Sequence, residues 1–326
     1  MGSGRVVALW SQIVREYIGA NSQMQSPNGA FPAKIGYKMK KKHALLDIAR
    51  SLAVLAGRDL NQKAELTDAN AYQWDGQNQN LLPITLVNYV DLALLLGIDN
   101  QKSILARNTE QFARGHGANN ALLWGAKGMG KSSIVKALHA DILNQAKQDT
   151  TLQRLILIEI HREDIQTMPS LMRYVSGLEA QFLIYCDDLS FDKDEMDYKA
   201  LKSVLDGGLE GRPANVLFYA TSNRRHLMPR DMVENETRAA IHSHEAIDEK
   251  VSLSDRFGLW LGFHNCDQAT YLQMVSHYCE HYGISASQSE LQSGAIEWAA
   301  TRGARSGRVA IQFVRQLAGK KGRSLI

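Results

Sequence analysis

The chain has 326 residues, 44% apolar and 22% charged, with a formal net charge of +3. This is the composition of an ordinary globular protein, long enough for two domains or three small ones. It excludes a global field suited to nucleic acid, and no apolar run near 18 residues offers a membrane span.

Residues 6–18 carry apolar side chains at helical spacing, among them Leu9, Trp10 and Ile13. Residues 21–36, with Asn, Ser, Gly and two Pro, read as a loop, and 44–55 as a second amphipathic helix. The Gln/Asn-rich stretch 68–80 reads as a linker, and 82–96 opens a further helical region. An N-terminal helical region is therefore expected over 1–80. No signal peptide is evident, and Met1 to Gly4 resembles a cloning remnant.

From Asn119 the character changes. Strand-like runs at 121–124, 155–160, 182–186, 216–221 and 259–263 alternate with helical patterns, notably 131–145 and 198–205. Such alternation predicts an α/β fold with a mainly parallel five-stranded sheet covered on both faces. This core is expected over 81–264. Helical patterns return at 268–282, 288–301 and 308–318, a small helical lid over 265–326.

Gly125-Ala126-Lys127-Gly128-Met129-Gly130-Lys131-Ser132 fits G-x-x-x-x-G-K-[ST], between a strand and a helix, and Ser133 follows it. Glycines let the backbone curl its N–H groups inward at phosphate oxygens, and the helix N-terminus adds partial positive charge. Lys131 suits the β- and γ-phosphates of ATP, and the Ser132 hydroxyl suits Mg2+. The plainer alternative is a Gly-rich turn.

The strand over 182–186 runs into Asp187 and Asp188. If that strand lies beside the one leading to the phosphate loop, Asp187 faces Ser132 and the metal. Asp188 is then free to polarise an attacking water. The strand-like run that begins at 216 closes on Thr221, Ser222 and Asn223, Arg256 precedes the last strand, and Arg305 and Arg308 open the terminal helix. Each has a plain reading alone: a strand-end cap, a surface ion pair and a helix-end charge.

In this order these elements resemble the AAA+ ATPases, over roughly residue 82 to the C-terminus. The resemblance implies Walker A at Lys131 and Ser132 and Walker B at Asp187 and Asp188. It also implies sensor 1 at Asn223, an arginine finger acting in trans at Arg256 and sensor 2 at Arg308. More narrowly, "NNALLWGAKGMGKSS", "IYCDDLSF", "YATSNRRHL", "EKVSLSDRFGLWL" and "RSGRVAIQF" resemble a bacterial family of predicted AAA+ ATPases carrying only a domain-of-unknown-function label. That family implies fold, nucleotide and oligomer but no substrate. Most AAA+ proteins have Asp-Glu where this chain has Asp-Asp, one methylene shorter.

The stretch "HREDIQTMPSLMRYV" lacks the aromatic–hydrophobic–Gly loop of threading rings and argues against an unfoldase. The expectation is an ATP-hydrolysing, homo-oligomeric machine acting on a protein partner. The alternatives are a nucleic-acid-linked ATPase, motivated by lysines at 34–42, Arg224, Arg225 and the basic C-terminus, or a slow nucleotide-gated binding module. Three cysteines without a CxxC suit a reducing, cytoplasmic setting. His242, His244, His277, Cys279 and His281 are too few to argue a Zn2+ site.

Overall fold

The computed structural model describes residues 66–191, 195–207, 211–225, 227 and 256–325. The helices and loop read before residue 60, the lysines at 34–42, and His242 and His244 lie outside the described residues.

Seven strands form one sheet: β1 (Ala71–Asp75), β2 (Asn80–Pro83), β3 (Ala121–Gly125), β4 (Leu155–Glu159), β5 (Gln181–Cys186), β6 (Val216–Ser222) and β7 (Leu259–Phe263). Their order is β2-β1-β4-β5-β6-β3-β7, parallel throughout except for the β1–β2 hairpin. The described helices are α1 (Asp99–Ala113), α2 (Lys131–Gln145), α3 (Met168–Ser176), α4 (Glu195–Asp206), α5 (Gln268–His281), α6 (Gln288–Arg302) and α7 (Gly307–Lys320). Helices cover both faces of the sheet, so the central strands bury both sets of side chains. Leu123, Leu183, Tyr185 and Tyr219 pack with Leu105 of α1 and Ile134 and Leu138 of α2. Their alternating neighbours Leu122, Phe182, Ile184 and Phe218 pack with Leu171 and Val175 of α3 and Leu201 of α4. This is a three-layer α/β fold around a mainly parallel sheet.

Three expectations need correction. The sheet has seven strands, because the stretch 68–80 is not a linker. Tyr72 and Trp74 alternate into the core of β1, and the polar residues after them make a turn. Asp75 Oδ1 accepts from the N–H groups of Gln77 and Asn78, the Asx-turn chemistry that Gln/Asn-rich composition also serves. Nor is 82–96 an α-helix: β2 ends at Pro83, tolerated on an edge strand, a single 3-10 turn forms at Leu92–Leu94, and α1 begins only at Asp99. Finally, β5 is not beside β3; β6 lies between them. Alternating periodicity sets which elements exist but not their lateral order.

The hairpin packs on the segment after β4. Trp74 Nε1 donates to Thr167 Oγ1 at 2.8 Å, and a Cβ on Gly76 would sit 2.2 Å from Asp164 Oδ1. The lid helices are capped by Asp267, Ser287 and Ser306, whose side chains accept from the backbone N–H three residues on. Tyr271, Tyr278, Phe313 and Val314 fill the lid's interior, with Cys279 buried among them.

Candidate functional site

β3 ends at Gly125 and the chain curls into α2. Gly128 (φ 75°) and Gly130 (φ 88°) occupy the left-handed region, and Gly130 is the N-cap of α2. At Gly125 (φ 121°) contact adds to the backbone constraint: a Cβ there would lie 2.1 Å from the Phe263 carbonyl oxygen. Ala126 N–H donates to that same oxygen at 2.7 Å. The first turn of the loop is thus stapled to the end of β7. Gly125 and Ala126 do not line the site, whereas Lys127 through Ser133 all do.

These seven residues edge a cavity of about 810 Å³ that also takes in Asp187, Asp188, Thr221, Asn223 and Arg308. Lys131 is 7% exposed. Its Nζ turns back onto Gly125 O (2.9 Å), Ala126 O (2.8 Å) and Asn223 Oδ1 (3.2 Å). Burial lowers its pKa, while the carboxylates of Asp188 and Asp187 oppose that shift.

Because β6 separates β5 from β3, its end meets both the acid pair and the loop. Asp187 Oδ1 accepts from Ser132 Oγ at 2.7 Å and from Thr221 Oγ1 at 2.6 Å. Burial alone would raise the pKa of Asp187, but these hydroxyls outweigh it and hold it below the usual carboxylate range. Asp188 has φ 51°, left-handed for a non-glycine residue. Its N–H donates to Thr221 Oγ1 at 2.9 Å, and its Oδ1 accepts from Asn223 Nδ2. A hydroxyl beside an ionised carboxylate is a donor set that fits a hard cation such as Mg2+.

The C-terminal helices form one wall. Arg308 N–H donates to Gly128 O at 3.2 Å. A Cβ on Gly128 would fall 2.8 Å from Ser306 Oγ and 2.9 Å from Arg308 Cβ, so this glycine permits lid and loop to touch. Leu94, Leu95 and Ile98 from the segment before α1, with Tyr278 and Ile311 from the lid, supply apolar walls. None of these five, nor Thr221, stands out in the sequence as a site residue. The segment before α1 carries no motif, and Tyr278 and Ile311 read as ordinary lid core.

Arg256 lies elsewhere. It does not line the cavity but forms an ion pair with Asp206 at the end of α4. Arg305 also stays outside, 3.5 Å from Gln268 Oε1. Cys186 is buried and its thiol pKa is pushed up by burial, so it is no nucleophile.

The family model described as "Protein of unknown function (DUF815)" matches residues 67–321, and the chain belongs to that family. No curated protein matches the sequence. Among solved structures, the chain is similar to the Orc1 protein of Aeropyrum pernix in complex with DNA, at 14% identity and a TM-score of 0.49, covering 72% of this chain and 66% of that one. It is similar to the RuvB Holliday junction branch migration motor of Thermotoga maritima at 10% identity and a TM-score of 0.39, covering 68% and 70%. It is also similar to a Walker-type ATPase of Pyrococcus abyssi at 15% identity and a TM-score of 0.42, covering 73% and 72%. The chain spans just under two thirds of the length of the Orc1 chain. Among the described residues no helix is long and apolar enough to cross a membrane.

Proposed function

We propose that this DUF815 chain binds ATP with Mg2+, hydrolyses it, and works as an oligomeric conformational machine on a protein partner. The observation that carries the reading is the convergence of Lys131, Ser132, Asp187, Asp188 and Asn223 on one cavity beside a glycine-rich loop. Lys131 is the mobile cation for the β- and γ-phosphates, and its present carbonyl partners are what an anion would displace. Leu95, Ile98, Tyr278 and Ile311 offer an apolar slot for a base. Ser132 and Asp187 would hold magnesium, which when bound supplies charge neutralisation at the phosphate oxygens.

In hydrolysis a water oxygen bonds to the γ-phosphorus while the bond to the bridging oxygen breaks, leaving ADP and phosphate. Asp188 takes a proton from that water, and Asn223 fixes the direction in which its carboxylate points. Arg256 cannot serve its own cavity from its place beside Asp206, which supports action on a neighbouring copy's nucleotide. Phosphate release with Mg-ATP, compared between the intact chain and Lys131→Ala and Asp188→Asn, tests the reading. Steady turnover lost in both variants supports it. No turnover by the intact chain at any protein concentration sinks it.

A nucleic-acid-linked ATPase is the second reading. Exposed Arg224, one residue beyond Asn223, favours it. Arg225 is less available, since its guanidinium packs on Trp124 and Trp260 at 5.3 and 5.4 Å. Binding of DNA that falls steeply with salt would favour this second reading.

A further inference from the structure

Thr221 makes three bonds to three consecutive residues of the acid loop. Its hydroxyl accepts from Asp188 N–H at 2.9 Å. The hydroxyl's own proton then goes to Asp187 Oδ1 at 2.6 Å. The Thr221 carbonyl accepts from Leu189 N–H at 2.7 Å. Thr221 is itself 1% exposed and fixed in the sheet, registered against Leu123 of β3.

These bonds act on the two carboxylates differently. On Asp187 the bond is direct: it donates to a carboxylate oxygen and sets that side chain's rotation toward Ser132. On Asp188 the bond is to the backbone. It pins the N–H of a residue at φ 51°, a conformation that few non-glycine residues adopt and that Asp tolerates. The carbonyl bond to Leu189 pins the other side of the same turn. With the backbone turned this way, the Asp188 carboxylate meets the Asn223 amide.

We propose that Thr221 is the positioning residue that aims both carboxylates, and that the left-handed turn it holds at Asp188 takes the place of the methylene this acid lacks. The proposal deepens the ATP-hydrolysis reading and rests on it. Valine at 221 keeps the shape but leaves Asp188 N–H without its acceptor and Asp187 without one donor. Serine restores the hydroxyl without the methyl.

The test uses the full chain with Thr221→Val and Thr221→Ser. Mg2+ is titrated into a fixed mixture of protein and fluorescent ATP analogue, and turnover is measured separately. For T221V the half-saturating Mg2+ should rise about tenfold, in line with the effect of removing partners of metal ligands. Its kcat should fall about 10²-fold, the size of a displacement near 1 Å. Nucleotide binding without metal should stay at the wild-type level. T221S should return both quantities to within about threefold of wild type. T221V with wild-type Mg2+ dependence and kcat overturns the proposal. T221S as defective as T221V also overturns it, since the methyl's packing would then be responsible. Should T221V fail to fold, Thr221→Ala removes the hydroxyl without adding bulk and is read the same way. If the wild-type chain binds Mg-ATP but never turns it over, the hydrolysis reading fails, and the Mg2+ titration still decides the role of Thr221.

Discussion

The side-chain amide of Asn223 is shared between Asp188 and Lys131: its nitrogen donates to Asp188 Oδ1, and its oxygen accepts from Lys131 Nζ. One side chain thus bridges the acid pair and the lysine of the glycine-rich loop. Asn223→Ala should leave nucleotide binding within a few-fold of wild type while lowering turnover about 10²-fold, since aim is lost rather than charge. Single-turnover measurement at saturating Mg-ATP checks this. A wild-type rate would show that Asn223 merely ends a strand.

The two acids should fail in different ways. Asp187→Asn should weaken Mg2+-dependent ATP binding, because it removes the charged group beside Ser132. Asp188→Asn should bind Mg-ATP normally and turn over about 10²-fold more slowly, because Asn tolerates the left-handed turn yet cannot take a proton. Asp188→Glu should also be slow. The longer side chain overshoots Asn223, and Glu in the left-handed region costs roughly 1–2 kcal/mol. Turnover by Asp188→Glu at or above wild type would show that the turn relaxes around a longer acid.

Arg256→Ala should bind ATP normally and lose most hydrolysis, on the order of 10³-fold or more if it acts as a finger. Mixing it with Asp188→Asn should restore part of the activity, because a mixed assembly can pair an intact finger with an intact acid. If subunits exchange and no mixture exceeds its parents, Arg256 does not act on a neighbour. Asp206→Asn gives a second view. It removes the Asp206 contact from Arg256, and the dependence of turnover on protein concentration should shift.

His139 makes stability depend on pH. It is 2% exposed on α2, it contacts Leu155 O at 3.2 Å, and burial lowers its pKa to about 4. The unfolded chain takes up a proton near pH 6.5 and the folded chain does not. The contribution is therefore complete above about pH 6.5 and is lost as pH falls toward 4. Urea unfolding of the metal-free protein should show about 2 kcal/mol less stability at pH 5 than at pH 7.5 from this group. His139→Gln should flatten that slope. An unchanged slope would assign the acid sensitivity to other groups.

The alternating core is legible in the sequence because its signals are local. The bounds of β7 and α2 follow from a short apolar run and from the Gly-Lys-Ser helix start. The acid pair and Asn223 are equally visible because they close strong periodic segments, and Arg308 because it opens one. What stays hidden depends on contacts distant in sequence. No periodicity says that β6 inserts between β5 and β3, so Thr221 reads as a strand residue rather than a shared partner of two acids. The hairpin is hidden because a turn of Asp75, Gly76, Gln77 and Asn78 has the composition of a linker. The left-handed turn at Asp188 is hidden because the residue there is not glycine.

The staple between Ala126 and Phe263 joins the phosphate loop to the strand that follows Arg256. β7 runs from just beyond Arg256 to the base of the phosphate loop, roughly 17 Å at about 3.3 Å per residue. In an assembly where Arg256 touches another copy's nucleotide, one end of this strand answers to the neighbour and the other to the copy's own. Five residues of backbone would then be all that separates two nucleotide sites, one in each copy.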